Sequence, residues 1–390
     1  MTNSLDLFIS SEIQQLASSP LYAAPGVLEG ASSAHSVING KEVIVLCSNN
    51  YHSLTTHPKV IAKAREALEK YGSGLGSGRG LASMQIQLEL EEKISQFKHT
   101  DATLCFQTGY DTNLSAVWTL TGEADLVLAD EFNHGSVFDG AKMSSVKLET
   151  YPHRDTIALQ KLLEKRDNRR RTFIITPGIF PLEGDIAPLR EIVELAEKFG
   201  AIVYTDDSHS VGVLGAGGGG VVEHFGMHGR VEIQVGTLSK ALASVGGYVT
   251  GSKELREYLF RKARPFSQAT GHLAPASAAA AMAAIEVLQS DPSLLKKLWS
   301  NATFYREGIK SLGFDTGNSE TPIVPIVLGE ASVAAKFRKL LFEEGVYVQA
   351  FQGPKGKALL RTIVSSAHSK HDLDSCLNAF KKVGRQLDII

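Results

Sequence analysis

The stretch Gly236-Thr237-Leu238-Ser239-Lys240 follows an apolar run, Val231 to Val235, and leads into Ala241-Leu242-Ala243-Ser244-Val245-Gly246-Gly247. A strand-like segment thus delivers a lysine into a loop of small residues. Burying an ammonium is costly unless its charge is used or removed. In a closed, partly apolar site the amine loses its proton more readily and can form a Schiff base with an aldehyde. Small neighbours leave room for a flat ring. Taken alone, Lys240 reads equally well as a surface lysine after a strand.

A second apolar run, Ala201 to Thr205, ends in Asp206-Asp207-Ser208-His209-Ser210-Val211-Gly212. Open α/β sheets place ligand chemistry at the C-terminal ends of their strands. A carboxylate beside a pyridine nitrogen favours the protonated ring, and a protonated ring is the electron sink of pyridoxal phosphate (PLP) chemistry. Aspartates also cap helices, and a histidine can be a satisfied core residue. What decides is the combination: Asp206-x-x-His209 and Gly-Thr-x-Ser-Lys240, each closing an apolar run. It predicts a PLP site with Lys240, Asp206 and His209 at its centre.

Other stretches supply the rest of such a site. Ser48-Asn49-Asn50-Tyr51 follows the strand-like run Lys41 to Cys47. Gln107-Thr108-Gly109-Tyr110 follows the strand Ala102 to Phe106 and opens a helix. A helix N-terminus is a ready phosphate site. Asp130-Glu131-Phe132-Asn133-His134 follows the strand Ala124 to Ala129, and Arg361 lies in Leu359-Leu360-Arg361-Thr362-Ile363-Val364-Ser365-Ser366-Ala367-His368. The run Gly72 to Gly80 follows a helix, Pro58 to Lys70, rather than a strand, which excludes a dinucleotide fingerprint.

On these motifs the chain resembles the α-oxoamine synthase family of fold-type I PLP enzymes, nearly end to end from about Asn39. It is similar to the glycine C-acetyltransferase and 8-amino-7-oxononanoate synthase members. The resemblance implies a cofactor-binding set of Thr108, Gly109, Tyr110, His134, Asp206, His209, Thr237, Lys240 and Thr270. The catalytic set it implies is Lys240, His134, Asp206 and His209. His134 is expected to stack on the ring, Asp206 to face its nitrogen, and His209 to support its phenolic oxygen. Thr270, in Arg264-Pro265-Phe266-Ser267-Gln268-Ala269-Thr270-Gly271, is expected to reach the phosphate held by a partner subunit. Asn50 and Arg361 are the expected substrate-binding residues, holding an amino acid carboxylate. A guanidinium fork suits that task because it binds both oxygens.

The chain departs from the family pattern at several points. Gln87 stands where the family has a histidine, and His52-Ser53 replace Leu-Gly. Pro177 and Pro181 replace a glutamate and a serine close to the cofactor, and proline donates no hydrogen bond. Leu359 replaces the first arginine of the R-x-R strand, and no arginine precedes Arg65. Gly215 to Gly220 reads as a flexible loop. The basic run Lys165 to Arg171 reads as a solvated face.

The 390 residues are 43% hydrophobic and 21% charged, with net charge −2. That composition supports a large core and argues against nucleic acid or an anionic membrane as partner. Three cysteines without a CxxC pair fit a reducing compartment and no metal site. There is no basic n-region before an apolar core, so a cytoplasmic location is expected. Leu273 to Leu288 is too short and too weakly apolar to span a bilayer, and reads as a buried helix.

The expected fold is α/β of fold type I, with a large, mostly parallel sheet domain carrying helices on both faces and a smaller C-terminal α/β domain. The expected division is an N-terminal arm and helix over 1–50, a PLP domain over 51–290, and the small domain over 291–390. The expected activity is PLP-dependent acyl transfer in amino acid metabolism. An α-amino acid, with glycine the expectation, condenses with an acyl-CoA thioester as in glycine C-acetyltransferase. Two alternatives stay open. One is decarboxylative condensation as in 8-amino-7-oxononanoate synthase. The other is a different PLP reaction, such as aldol cleavage, with a non-CoA electrophile. A homodimer with shared active sites is implied by the resemblance.

Overall fold

A computed structural model describes residues 3–167, 171–269, 272–353 and 356–390. Thr270 and residues 168–170 of the basic run lie outside the described residues. In chain order the strands are β1 (His35–Ile38), β2 (Lys41–Val45), β3 (Ala102–Phe106), β4 (Leu126–Asp130), β5 (Lys147–Tyr151), β6 (Thr172–Pro177), β7 (Ile202–Asp206), β8 (Ile233–Thr237), β9 (Gly247–Gly251), β10 (Ile323–Gly329), β11 (Val346–Tyr347), β12 (Gln349–Gln352) and β13 (Ala358–Ile363).

The chain divides into two compact units. The larger comprises Asn49–Pro181 and Asp185–Lys297. Its seven-stranded sheet has the order β3-β9-β8-β7-β6-β4-β5. Only β9 runs against its neighbours, β3 and β8; the other adjacent pairs are parallel. Parallel strands buried on both faces read as continuous apolar runs, and β4, β6 and β8 are buried at every position. One face packs Phe173, Ile175, Tyr204 and Val235 against Ala116, Val137 and Leu259. A second core joins Leu90, Ile94, Leu238 and Leu242 to the alanine-rich helix Pro275–Ser290. That helix is the one expected from Leu273 to Leu288, and small side chains let it sit closely against its neighbours.

The smaller unit comprises the chain up to Ser48, Leu182–Gly184 and Leu298–Ile390. It contains the sheets β1-β2-β11 and β10-β13-β12, with Phe314, Phe337 and Phe380 in its core. The stretch Val346 to Gln352 forms two strands, β11 and β12, because Tyr347 pairs with β2 and Gln349 with β13.

The Gly215 to Gly220 segment is not a slack loop. The backbone N–H groups of Gly217 and Gly219 donate to the two Glu223 carboxylate oxygens at 2.9 and 2.6 Å. Gly215, Gly218 and Gly220 have φ of +87°, +81° and +103°, a region that favours glycine. The glycines let the backbone curl around a carboxylate.

No helix among the described residues is long and apolar enough to cross a membrane.

Candidate active site

The C-terminal ends of β6, β7 and β8 lie side by side, with Pro177 opposite Asp206 and Asp206 opposite Val235. Asp206 therefore closes a central strand, and it is 6% exposed. Its Oδ1 accepts the Ser208 N–H at 2.9 Å, and its Oδ2 accepts the Asn113 amide at 2.7 Å. Two neutral donors hold this carboxylate at the sheet end. Pro177 is tolerated here because β6 pairs with β4 only as far as Ile175. Its missing N–H costs no ladder bond.

Three residues on, His209 is buried, and its Nδ1 hydrogen-bonds the Tyr51 hydroxyl at 2.8 Å. Asp207, between them in sequence, faces another way. Its Oδ2 accepts from Lys98 Nζ at 2.5 Å, and its Oδ1 accepts from Ser210 Oγ and from Val221 N. Lys98 also donates to the Gly219 carbonyl and is 1% exposed. Of the two adjacent aspartates, Asp207 anchors the turn from behind and Asp206 faces the strand end.

β8 carries the next residues. The Thr237 hydroxyl donates to the Gly246 carbonyl at 2.9 Å and pairs with Ser239 Oγ at 2.7 Å. Lys240 follows, half-buried, and Ala243 N donates to its carbonyl at 3.0 Å. The helix Gly109–Leu120 points its first turn at this hairpin. A Cβ on Gly109 would lie 3.0 Å from Thr237 Oγ1, and one on Gly247 would lie 2.9 Å from the Gly109 Cα. Only a glycine lets the helix end settle so close. Thr108 is the N-cap, its hydroxyl accepting from Asp111 N and donating to the Asp111 carboxylate. The exposed Tyr110 side chain turns away and donates its hydroxyl to Asp139. What Tyr110 offers this helix end is therefore its backbone.

His134 is the N-cap of the helix Gly135–Ser144. Its Nδ1 accepts from Ser136 N at 3.3 Å and pairs with Ser136 Oγ at 2.8 Å, and the ring meets Tyr110 edge-on. Capping fixes the plane of the imidazole. Asn50 is buried and donates Nδ2 to Thr55 Oγ1 at 2.7 Å. Gln87 donates to the Leu273 carbonyl at 2.9 Å and accepts from Met84 N, so it ties the start of the helix Gln85–Lys98 to the chain before Pro275.

Arg361 belongs to the smaller unit. It lies on β13 opposite Pro325 and Gln349, with its guanidinium 5.1 Å over the Phe351 ring. Cys47, in the same unit, has its thiol pushed up to about 12 by burial, against the opposing charge of Arg361.

Asn113, Tyr51 and Lys98 carry much of this arrangement, and none was singled out from sequence. Lys98 did leave a signal. It follows Leu90, Ile94 and Phe97 on the buried stripe of its helix, where a lysine needs a partner.

The residues of the larger unit fit pyridoxal phosphate. A buried carboxylate with lone pairs to spare suits a ring nitrogen. The hydroxyls of Thr237 and Ser239, with a glycine-opened helix N-terminus, suit a phosphate. Lys240 would supply the amine.

The family model for aminotransferase class I and II matches residues 41–380, and the chain belongs to that family of PLP enzymes. Within it the chain is an α-oxoamine synthase, an acyltransferase that condenses an amino acid with an acyl thioester. A protein named 8-amino-7-oxononanoate synthase from Thermoanaerobacter pseudethanolicus is 47% identical over 388 residues, 98% of each chain. One of the same name from Thermosipho melanesiensis is 45% identical over 385 residues, again 98% of each. Among solved structures, serine palmitoyltransferase from S. paucimobilis, with bound PLP-myriocin aldimine, matches with a TM-score of 0.94 at 32% identity, covering 100% of both chains.

Proposed function

We propose that the chain catalyses the decarboxylative condensation of an 8-amino-7-oxononanoate synthase. The constitution of that product sets the substrates. Its amino-bearing carbon carries a methyl group, so the amino acid is alanine rather than glycine. The carbons from ketone to terminal carboxylate make the acyl group a seven-carbon dicarboxylic one. The Cα–acyl bond forms as the C–S bond breaks and thiol leaves. The Cα–carboxylate bond breaks to release CO2, and Cα takes up a proton.

The observation that carries the PLP reading is the buried Asp206 carboxylate at the end of β7, beside the strand that leads to Lys240. The full-length relatives support the choice of substrate. In this reading the Lys240 amine holds the cofactor aldehyde and moves the proton at the substrate Cα. Asp206 would face the ring nitrogen, and His209 would donate to the phenolic oxygen. His134 covers one ring face and excludes water from it. The first turn of the helix Gly109–Leu120, with Thr108 to Tyr110 and Thr237, binds the phosphate; Thr270 joins them from a partner subunit. Asn50 and Arg361 hold the carboxylate. Bound PLP supplies the electron sink that makes the Cα nucleophilic. A homodimer in the cytoplasm, serving amino acid metabolism, belongs to the same reading.

The test offers the PLP-loaded protein alanine with heptanedioyl-CoA, and separately glycine with acetyl-CoA. Free thiol, CO2 and product mass are followed. Thiol and CO2 from the first pair are expected. Thiol without CO2 from the second pair alone would move the enzyme to the acetyltransferase reading. No thiol from any donor would mean a different electrophile.

A further inference from the structure

We infer that Asn113 is the positioning residue for Asp206, and that the helix Gly109–Leu120 thereby sets the distance between the two ends of the cofactor site. This rests on the reading of Asp206 as the partner of the ring nitrogen.

Asn113 is 2% exposed and both ends of its amide are engaged. Nδ2 donates to Asp206 Oδ2 at 2.7 Å, and Oδ1 accepts the Tyr204 hydroxyl at 2.6 Å. The partners fix which end is which, because a carboxylate can only accept. Tyr204 and Asp206 are two apart on β7, so they share a face of the strand, and the amide bridges them. Burial, with the Asp206 charge nearby, raises the Tyr204 phenol well above its ordinary range. The phenol stays a donor, and the amide cannot rotate without losing both bonds.

A carboxylate that accepts from an oriented amide keeps one direction. That is what a pyridine nitrogen needs if its proton is to be retained. An unoriented Asp206 would hold the ring without holding the proton.

The spacing extends the argument. Gly109 and Asn113 are four apart on one helix, so they lie on the same face just over one turn, or roughly 6 Å, apart. Gly109 sits against Thr237 on β8, and Asn113 is bonded to Asp206 on β7. One rigid helical turn thus spans the phosphate end and the nitrogen end of the site.

Dissociation constants of apoprotein for PLP, and for an analogue with carbon in place of the ring nitrogen, test this. The wild-type chain is expected to prefer PLP. Asn113→Leu should weaken PLP about tenfold, the size of one lost charge-assisted hydrogen bond, and leave the analogue within about twofold. Asn113→Asp is nearly isosteric, so a mere packing role would tolerate it. It should weaken PLP at least as much as Asn113→Leu, because it sets a second carboxylate on Asp206. Tyr204→Phe should give a smaller loss of the same kind. Should Asn113→Leu not fold, Asn113→Asp and Tyr204→Phe decide. Equal losses of PLP and analogue, or an Asn113→Asp protein with wild-type preference, would overturn the proposal. A wild-type chain with no preference would overturn it too, by removing the Asp206 reading beneath it.

Discussion

Tyr51 and His209 stand 158 positions apart in sequence and meet through a 2.8 Å hydrogen bond between the phenol oxygen and the imidazole Nδ1, with the rings perpendicular. The bond ties the segment after Asn50 to the turn after β7. Tyr51→Phe keeps the ring and removes the oxygen. Leaving a buried nitrogen short of this partner should cost about 1–2 kcal/mol, read by urea unfolding of the apoprotein. Unchanged stability would mean the contact holds nothing.

Lys98 and Asp207 form a buried pair behind that turn. Removing one partner of such a pair strands a charge, so Lys98→Met should cost about 3–5 kcal/mol. Asp207→Asn strands Lys98 in turn. The double variant should lose less than the sum, with a coupling of about 1–3 kcal/mol. Additive losses would show that the two charges do not compensate each other.

Gly212 and Gly226 both adopt left-handed backbone, with φ of +73° and +65°. A Cβ on Gly226 meets nothing, whereas one on Gly212 would strike the Ala241 Cβ, next to Lys240. Gly226→Ala should cost only about 1–2 kcal/mol for the backbone. Gly212→Ala should cost more, by about 1–3 kcal/mol of overpacking. Thermal melts of the two variants make the comparison, and equal losses would refute the close approach.

His153 lies between Asp130 and Asp185, at 3.3 and 2.9 Å. Burial alone would depress its imidazolium, but hydrogen bonds to both carboxylates and their charges prevail and raise it to about 9. A raised folded-state value stabilises the fold below the ordinary histidine range near 6.5, and the effect is lost as pH rises through about 9. The difference in Tm between wild type and His153→Gln should therefore be largest at pH 6 and shrink by pH 10. A difference that grew with pH would reverse the assignment.

Lys240 is the proposed attachment point for the cofactor. Borohydride reduction of the loaded protein should leave the cofactor's mass on the peptide containing Lys240, and Lys240→Ala should leave none. Label on another lysine would remove Lys240 from its role.

The strands that position the site were legible as apolar runs ending in polar residues. Ala102 to Phe106 forms β3 at those limits. Edges moved where pairing overrode composition. Val231 to Val235 becomes β8 over Ile233–Thr237 because Thr237 still pairs with Gly247. Composition misled at Gly215 to Gly220, where a glycine run organised by Glu223 has the same letters as a slack one.

The sequence alone determined the sheet-forming runs, the lysine and carboxylate that close two of them, and the family those residues belong to. These are local facts, set by hydrophobic spacing and residue type. It did not show what Asp207 binds, assign a partner to Gln87, or mark Asn113 and Tyr51. Those depend on which side chain meets which across strands and helices far apart in the chain. Only the packed sheet decides them, because a buried polar group must find its partner in space rather than in sequence.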